Sequence, residues 1–181
     1  NLKLNWVNRL TQIQFKMYGF LLKIWSKLNF SVNLKVWIMS LINDQFLIGV
    51  TGIFFDDENR ILLVKHSYRS KDNWSLPGGY IKKGEHPKEG LEREVDEETG
   101  FVVSADTRLK IRTDRDNARL DITYAGKFIG GNYKPSKEIT DADFFKFERL
   151  PILPTDQLVF IDEALKLQKL TKDLYSVSQT E

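Results

Sequence analysis

Between Glu85 and Glu98 the chain reads EHPKEGLEREVDEE, fourteen residues that hold seven carboxylates and two basic side chains. On an α-helix at about 100° per residue, Glu94, Glu97 and Glu98 share one arc of roughly 100°, at spacings i, i+3 and i+4. Glu89, Glu92 and Asp96 fall on the far side and read as a solvated face, while Leu91 and Val95 form a narrow apolar strip beside Glu98. Like charges at such spacings destabilise a helix by a few tenths of a kcal/mol per pair, with only Arg93 close enough to relieve them. Three converging carboxylates are what a hard divalent cation needs: oxygen ligands, with substrate phosphate and water completing the shell. The turn before the helix suits the same chemistry. Gly78-Gly79 lets backbone come close to a metal or a phosphate without a Cβ in the way, and Pro87 stands where the first helical residue belongs.

The elements that position this segment follow from period and punctuation. FLIGVTGIFF, from Phe46, and RILLVKH, ending at His66, are β-rich runs separated by the turn cluster Asp56-Asp57-Glu58-Asn59, and so predict a hairpin. Glu85 to Thr99 predicts a helix stopped by Gly100. RLKIRT, LDITYAGKFIG and ADFFKFERL predict strands, and Asp156 to Lys172 a closing amphipathic helix. Strands and helices mix without regular βαβ alternation, which predicts an α/β sandwich on a mixed sheet over residues 45–175.

Residues 1–44 read differently. Trp6, Leu10, Ile13, Met17, Phe20, Leu21, Ile24 and Leu28 recur at steps of three and four, which predicts an amphipathic helix over about residues 3–28. Val32 to Ile42 is apolar and ambiguous between strand and helix. Residues 1–43 carry six Lys or Arg and no acid; against a whole-chain balance of +2 this leaves −4 for the remainder. Two structural units are expected. The absence of Cys excludes disulfides, thiolate metal sites and a Cys nucleophile, and two His exclude a multi-histidine centre. No apolar run is long enough to span a bilayer, and no secretory signal is evident, so a cytoplasmic location is expected.

The residues from Gly79 onward resemble the signature of the Nudix hydrolase family. That signature is G, five residues, E, seven residues, R-E, an apolar residue, any residue, E-E, any residue, G, apolar. Gly79, Glu85, Arg93, Glu94, Val95, Glu97, Glu98, Gly100 and Phe101 fill all nine specified positions. The preceding Trp74-Ser75-Leu76-Pro77-Gly78 is also typical of the family. Gly90, Val95 and His86 stand where Ala, Leu and Ser or Thr are common, and His86 is expected to weaken the helix N-cap.

The resemblance implies a Nudix-type α/β/α sandwich, preceded here by the helical extension, and Mg²⁺-dependent (or Mn²⁺-dependent) hydrolysis of a nucleoside diphosphate linked to another moiety. A nucleotide sugar such as ADP-ribose comes first. Glu94, Glu97, Glu98 and the Gly78 carbonyl resemble the metal ligands, and Glu85 and Arg93 the pair that steadies the turn. The general base is left between a Glu of the box and Glu138, on a later loop where many relatives carry a functional acid. Lys65, Arg69, Arg112, Arg115 and Arg119 are within possible reach of phosphates or are surface residues, and His66 lies at a strand end near the cleft. The basic extension suits a homodimer contact first, packing on its own domain next, and a membrane surface last; nucleic-acid binding is disfavoured. Alternatives are a nucleotide-sensing domain without catalysis and a hydrolase of RNA 5′ ends or dinucleoside polyphosphates.

Overall fold

The computed structural model describes residues 31–42, 45–68, 74–114 and 116–178. Its backbone contacts divide the chain between Gln45 and Phe46 into two units. In the first, Val32–Ile42 forms helix α1, which settles the ambiguity of that apolar run. Ser31 opens it by accepting from the Leu34 N–H through its Oγ at 3.4 Å. The helix expected over 3–28 lies outside the described residues.

The second unit is built on one seven-stranded sheet. Its strands are β1 (Leu47–Phe55), β2 (Ile61–His66), β3 (Trp74–Ser75), β4 (Gly78–Tyr80), β5 (Phe101–Asp114), β6 (Arg119–Gly131) and β7 (Ile139–Phe145). The order is β3-β2-β1-β6-β5, with β4 pairing β1 and β7 pairing β2. The sheet is mixed, because β1 and β6 run parallel while the other pairs are antiparallel. The predicted hairpin is present only at its tip, where Phe55 faces Ile61. The rest of β1 is taken up by β4 and β6, so β1 is a central strand.

Two helices cover the sheet, one on each face. On one face, Leu91 and Val95 of α2 (Pro87–Thr99) pack with Val50, Phe54, Leu62, Phe101 and Ile122. On the other, Phe160, Ile161 and Ala164 of α3 (Thr155–Ser178) pack with Ile53, Phe55, Ile61 and Leu63. Alternate residues of β1 and β2 thus enter opposite cores, which is why both strands read as continuous apolar runs. The α/β/α sandwich expected from the sequence is the observed architecture.

Three local expectations are corrected. The strand expected at RLKIRT begins seven residues earlier, at Phe101; its pairing with β6 shifts register between Ala105 and Thr107, and this bulge masked the alternation. The FERL end of ADFFKFERL is a 3₁₀ turn, Phe147–Arg149, beyond β7. His86 is a working N-cap: its Nδ1 accepts from the Lys88 N–H at 3.3 Å, and Glu89 returns to the His86 N–H at 3.3 Å. Gly100 closes α2 in the left-handed region at φ 72°, as expected of that stop.

Gly78 is the closest approach of backbone to backbone in the turn. A Cβ on it would stand 2.2 Å from the Val50 carbonyl oxygen in the middle of the sheet, whereas one on Gly130 would meet nothing within 4 Å. Gly78→Ala should therefore lose about 3 kcal/mol of stability and Gly130→Ala stay within roughly 0.5 kcal/mol, both read from urea midpoints. Equal shifts for the two would contradict the tight β1–β4 pairing.

Candidate active site

The turn between β4 and α2 is organised by one guanidinium. Arg93 Nε and Nη2 donate to the two oxygens of Glu85 at 2.7 and 3.0 Å, a bidentate pair. Arg93 Nη2 also reaches the Tyr80 carbonyl at 3.3 Å. Its Nη1 donates to Glu94 Oε1 at 2.8 Å and Glu97 Oε2 at 2.9 Å. Glu85 in turn accepts the Lys82 N–H at 2.8 Å, which closes the turn. Hydrogen bonds from Arg93 first, and from the Lys82 backbone second, hold the Glu85 carboxyl at about 2.

Glycine brings the carboxylates to the backbone. A Cβ on Gly79 would stand 2.6 Å from the Glu94 carboxyl carbon, so the missing side chain is what lets Glu94 lie on the turn. Gly90, one turn into α2, packs closely as well: a Cβ there would be 2.9 Å from Ile81 Cγ2.

Glu98 is the anomaly. Only 9% of it is exposed, and its Oε2 is buried with no hydrogen-bond partner among the described residues. Burial first, then the charges of Glu94, Glu138 and Glu97, push its carboxyl up to about 7. Glu138 is therefore electrostatically part of this group. Its loop is tied to the end of β2 by the Ser67 N–H, which donates to the Glu138 carbonyl at 2.7 Å. The structure thus brings Glu85, Arg93, Glu94 and Glu97 together around one guanidinium, with Glu98 and Glu138 coupled to them by charge.

The donor set fits a hard cation. It offers carboxylate oxygens in excess of local positive charge, and a buried oxygen without a partner, a state that costs free energy until something satisfies it. Among the described residues no three acidic or histidine side chains converge on a single point, because Glu94 and Glu97 share Arg93 instead. Glu85 would keep the guanidinium in place if a cation took carboxylate oxygens that Arg93 now holds.

Other candidates fall elsewhere. Lys65 lies over the Trp74 ring at 5.7 Å, and Arg69 and Arg115 are outside the described residues. Glu92, expected on a solvated face, accepts from the Ala105 N–H at 2.8 Å and pins the β5 bulge to α2. A cavity of about 230 Å³ lies against the other side of the turn, lined by the backbone of Gly78 and Gly79 and by Tyr80, Asp121, Gln157 and Phe160. Arg112, Arg119 and the buried His66 line it too. Gln157 Oε1 accepts from the Leu76 N–H at 2.8 Å, joining the start of α3 to the segment that leads into Gly78. No sequence signal marked Asp121 or Gln157, since their neighbours come from distant strands.

A carboxyl with a folded-state value near 7 and an ordinary value of 4.5 stabilises the fold while protonated. That contribution is fully present below about pH 4.5 and is lost as pH rises through 7. Metal-free Glu98→Gln, neutral at every pH, should match the parent near pH 4.5 and exceed it above pH 7, by roughly 2 kcal/mol or several degrees in Tm. Excess Mg²⁺ should close the gap by stabilising the parent alone. A difference in melting temperature that does not change with pH would refute the buried, unpartnered carboxylate.

Comparison with known proteins agrees with the geometry. The family model described as the NUDIX domain matches residues 45–167. An ADP-ribose pyrophosphatase of Methanocaldococcus jannaschii is 32% identical over 124 residues, 66% of this chain and 73% of that protein. The chain spans less than two thirds of other curated relatives, down to 14% of one of them. Among solved structures, an ADP-ribose pyrophosphatase from Streptococcus suis superposes with a TM-score of 0.56 at 26% identity, covering 66% of this chain and 92% of that one. A UDP-X diphosphatase superposes with a TM-score of 0.61 at 22% identity, covering 84% and 82%, and supports the fold alone. With the signature on one turn and helix and the family model spanning the sheet, α2 and the first half of α3, the chain belongs to the Nudix family.

Proposed function

We propose that this protein is a Mg²⁺-dependent pyrophosphohydrolase acting on a nucleoside diphosphate linked to a further moiety, with nucleotide sugars such as ADP-ribose as the favoured class. The observation that carries the reading is the buried, unpartnered oxygen of Glu98 beside a Glu94 carboxylate pressed onto Gly79. The relatives named ADP-ribose pyrophosphatase support the substrate class.

In this reading Glu94, Glu97, Glu98 and the Gly78 carbonyl hold Mg²⁺, with Mn²⁺ as a substitute. The bound cation supplies an activated water and neutralises charge on the diphosphate oxygens. Arg93, gripped by Glu85, holds Glu94 and Glu97 on the turn where they would serve as ligands. Gly78 and Gly79 let the diphosphate approach the backbone. Glu138, exposed and close enough to raise Glu98, takes the proton from the attacking water as its oxygen bonds to one phosphorus of the diphosphate, the bridging P–O bond breaks and the other phosphate leaves with its moiety. The apolar stripe from Trp6 to Leu28 supports a homodimer contact through the segment 3–28, and no described helix is long and apolar enough to cross a membrane; a cytoplasmic enzyme is the simplest form of the reading.

The test is phosphate release, after coupling to a phosphatase, from nucleotide sugars, dinucleoside polyphosphates, nucleoside triphosphates and 5′-capped RNA with Mg²⁺. One class should be turned over, with loss on chelation and a drop of at least about a hundredfold in Glu98→Gln. Full turnover in Glu98→Gln would remove Glu98 from the metal site. No turnover anywhere, with a nucleotide still raising the melting temperature, would replace the hydrolase by a sensor.

A further inference from the structure

Most basic side chains near the Gly78–Gly79 turn are committed to carboxylates that the hydrolase reading leaves alone. On the cavity wall, Arg119 Nε stands 2.9 Å from Asp121 Oδ1, and Arg112 Nη2 stands 3.6 Å from Asp121 Oδ2 and 3.4 Å from Asp156 Oδ2. On α2, Lys88 pairs with Glu92 at 3.7 Å. Lys82 differs. Its ammonium stands 3.4 and 3.5 Å from the two oxygens of Glu97, and among the described residues that is its one ion pair. The carboxylate that neutralises Lys82 is thus one that the reading assigns to a cation.

The root of Lys82 and its side chain are held very differently. The Ile81 N–H donates to the Ile48 carbonyl at 3.2 Å, which carries the pairing with β1 up to Lys82. The Lys82 N–H donates to Glu85 Oε2 at 2.8 Å, and its carbonyl accepts the Glu85 N–H at 3.2 Å. Glu85 therefore fixes the backbone of Lys82 as well as the guanidinium of Arg93. The side chain has no comparable hold. The Lys82 and Glu97 side chains are 59% and 53% exposed, and both contacts are longer than the roughly 2.7–2.9 Å of a tight charge-assisted bond. An ion pair so exposed adds little and exchanges readily. A flexible stem on a fixed root can then carry its point charge to another anion.

Arg93 and Lys82 would answer a cation at Glu97 in different ways. Arg93 would keep Glu85 and the Tyr80 carbonyl. Lys82 would lose its carboxylate three residues beyond Gly79, where the reading brings the diphosphate to the backbone. We propose that Lys82 is an exchangeable counter-ion: it neutralises Glu97 in the metal-free protein and binds a phosphate oxygen of the substrate once Glu97 serves the cation. The proposal rests on the hydrolase reading and deepens it by naming a residue that makes diphosphate binding wait for the metal.

Calorimetry on the full chain tests it without turnover, with Mg²⁺ alone and with the methylene-bridged analogue of ADP, whose bridge is not hydrolysed. Lys82→Gln should bind Mg²⁺ about threefold tighter than the parent, because Glu97 loses a competing cation. Without Mg²⁺ the parent and Lys82→Gln should bind the analogue alike. In saturating Mg²⁺, Lys82→Gln should bind it about tenfold more weakly, the loss of one hydrogen bond between charged groups. Tighter metal with weaker diphosphate is an opposed change that simple loss of structure does not produce. Lys83→Gln, which removes the same charge from the exposed next residue, should follow the parent in all three titrations. Equal losses of analogue affinity with and without Mg²⁺ would make Lys82 a fixed cation, and no loss in either would remove it from the diphosphate. Each outcome would overturn the proposal, as would an Mg²⁺ affinity that falls or stays level, or a parent that fails to bind Mg²⁺ or the analogue. A failure confined to Lys82→Gln leaves Glu98-dependent turnover intact. Absence of turnover on every substrate class, with the titrations as expected, sinks the hydrolase reading alone.

Discussion

Five hydrogen bonds from the Arg93 guanidinium hold the turn, the helix and three carboxylates in one arrangement. Glu94 and Glu97 repel each other and Glu98, and without a central cation α2 would carry that repulsion in its own backbone. The planar fork matters because one edge grips Glu85 bidentately while the remaining nitrogen serves Glu94 and Glu97. A lysine offers a single point of charge and cannot span both. The hold is also graded. Glu85 is kept ionised and buttressed by Lys82, whereas Glu97 is half exposed and shared with the Lys82 ammonium at 3.4 Å. The carboxylates most easily drawn off Arg93 are therefore those with the weaker grip, and the one that anchors the arginine is the one least able to leave.

That arrangement rests on the sheet rather than on the helix alone. Gly78 sits against the Val50 carbonyl and the Gly52 N–H donates to the Pro77 carbonyl at 2.9 Å, so the turn has no freedom along β1. From the opposite face, Gln157 holds the Leu76 N–H. Buried backbone donors of this kind are nearly always satisfied, and here the acceptor comes from a residue eighty-one positions away. The start of α3 and the Nudix turn are thus joined through one side chain.

What the sequence made legible was local and periodic. The i, i+3, i+4 acids, the Leu91 and Val95 strip, Pro87 and Gly100 all lie within one helix and its caps, where spacing translates directly into position. Both central strands were legible because burial on two faces leaves no alternation to misread. Illegible were features set by register. Glu92 looked solvent-facing until the β5 bulge presented the Ala105 N–H to it, and the strand expected at RLKIRT stopped short of Phe101 because that same bulge breaks the period. His86 was judged by residue type as a poor cap, yet an imidazole nitrogen accepts the same N–H that a hydroxyl does. Arg112 and Arg119 were legible as cations but not as paired ones, since Asp121 meets Arg112 only through the β5–β6 pairing and Asp156 arrives from α3.

The two sides of the Gly78–Gly79 turn differ in how they treat charge, and that difference follows from the elements that supply them. On the α2 side the carboxylates come from consecutive turns of one helix, and Arg93 is that helix's own cation for Glu94 and Glu97. Surplus negative charge accumulates there, and Glu98, the most buried member, carries the penalty of burial and of its neighbours together. On the other side the wall residues come from three elements, β6 supplying both Arg119 and Asp121, and their signs alternate, Arg119 to Asp121 to Arg112 to Asp156. A site with surplus charge calls for a mobile counter-ion, which helps most where the fold cannot provide a fixed one. A balanced site calls for none. A helix that keeps its acids on one face and a wall drawn from three elements can therefore hold different balances of charge within one turn of backbone of each other.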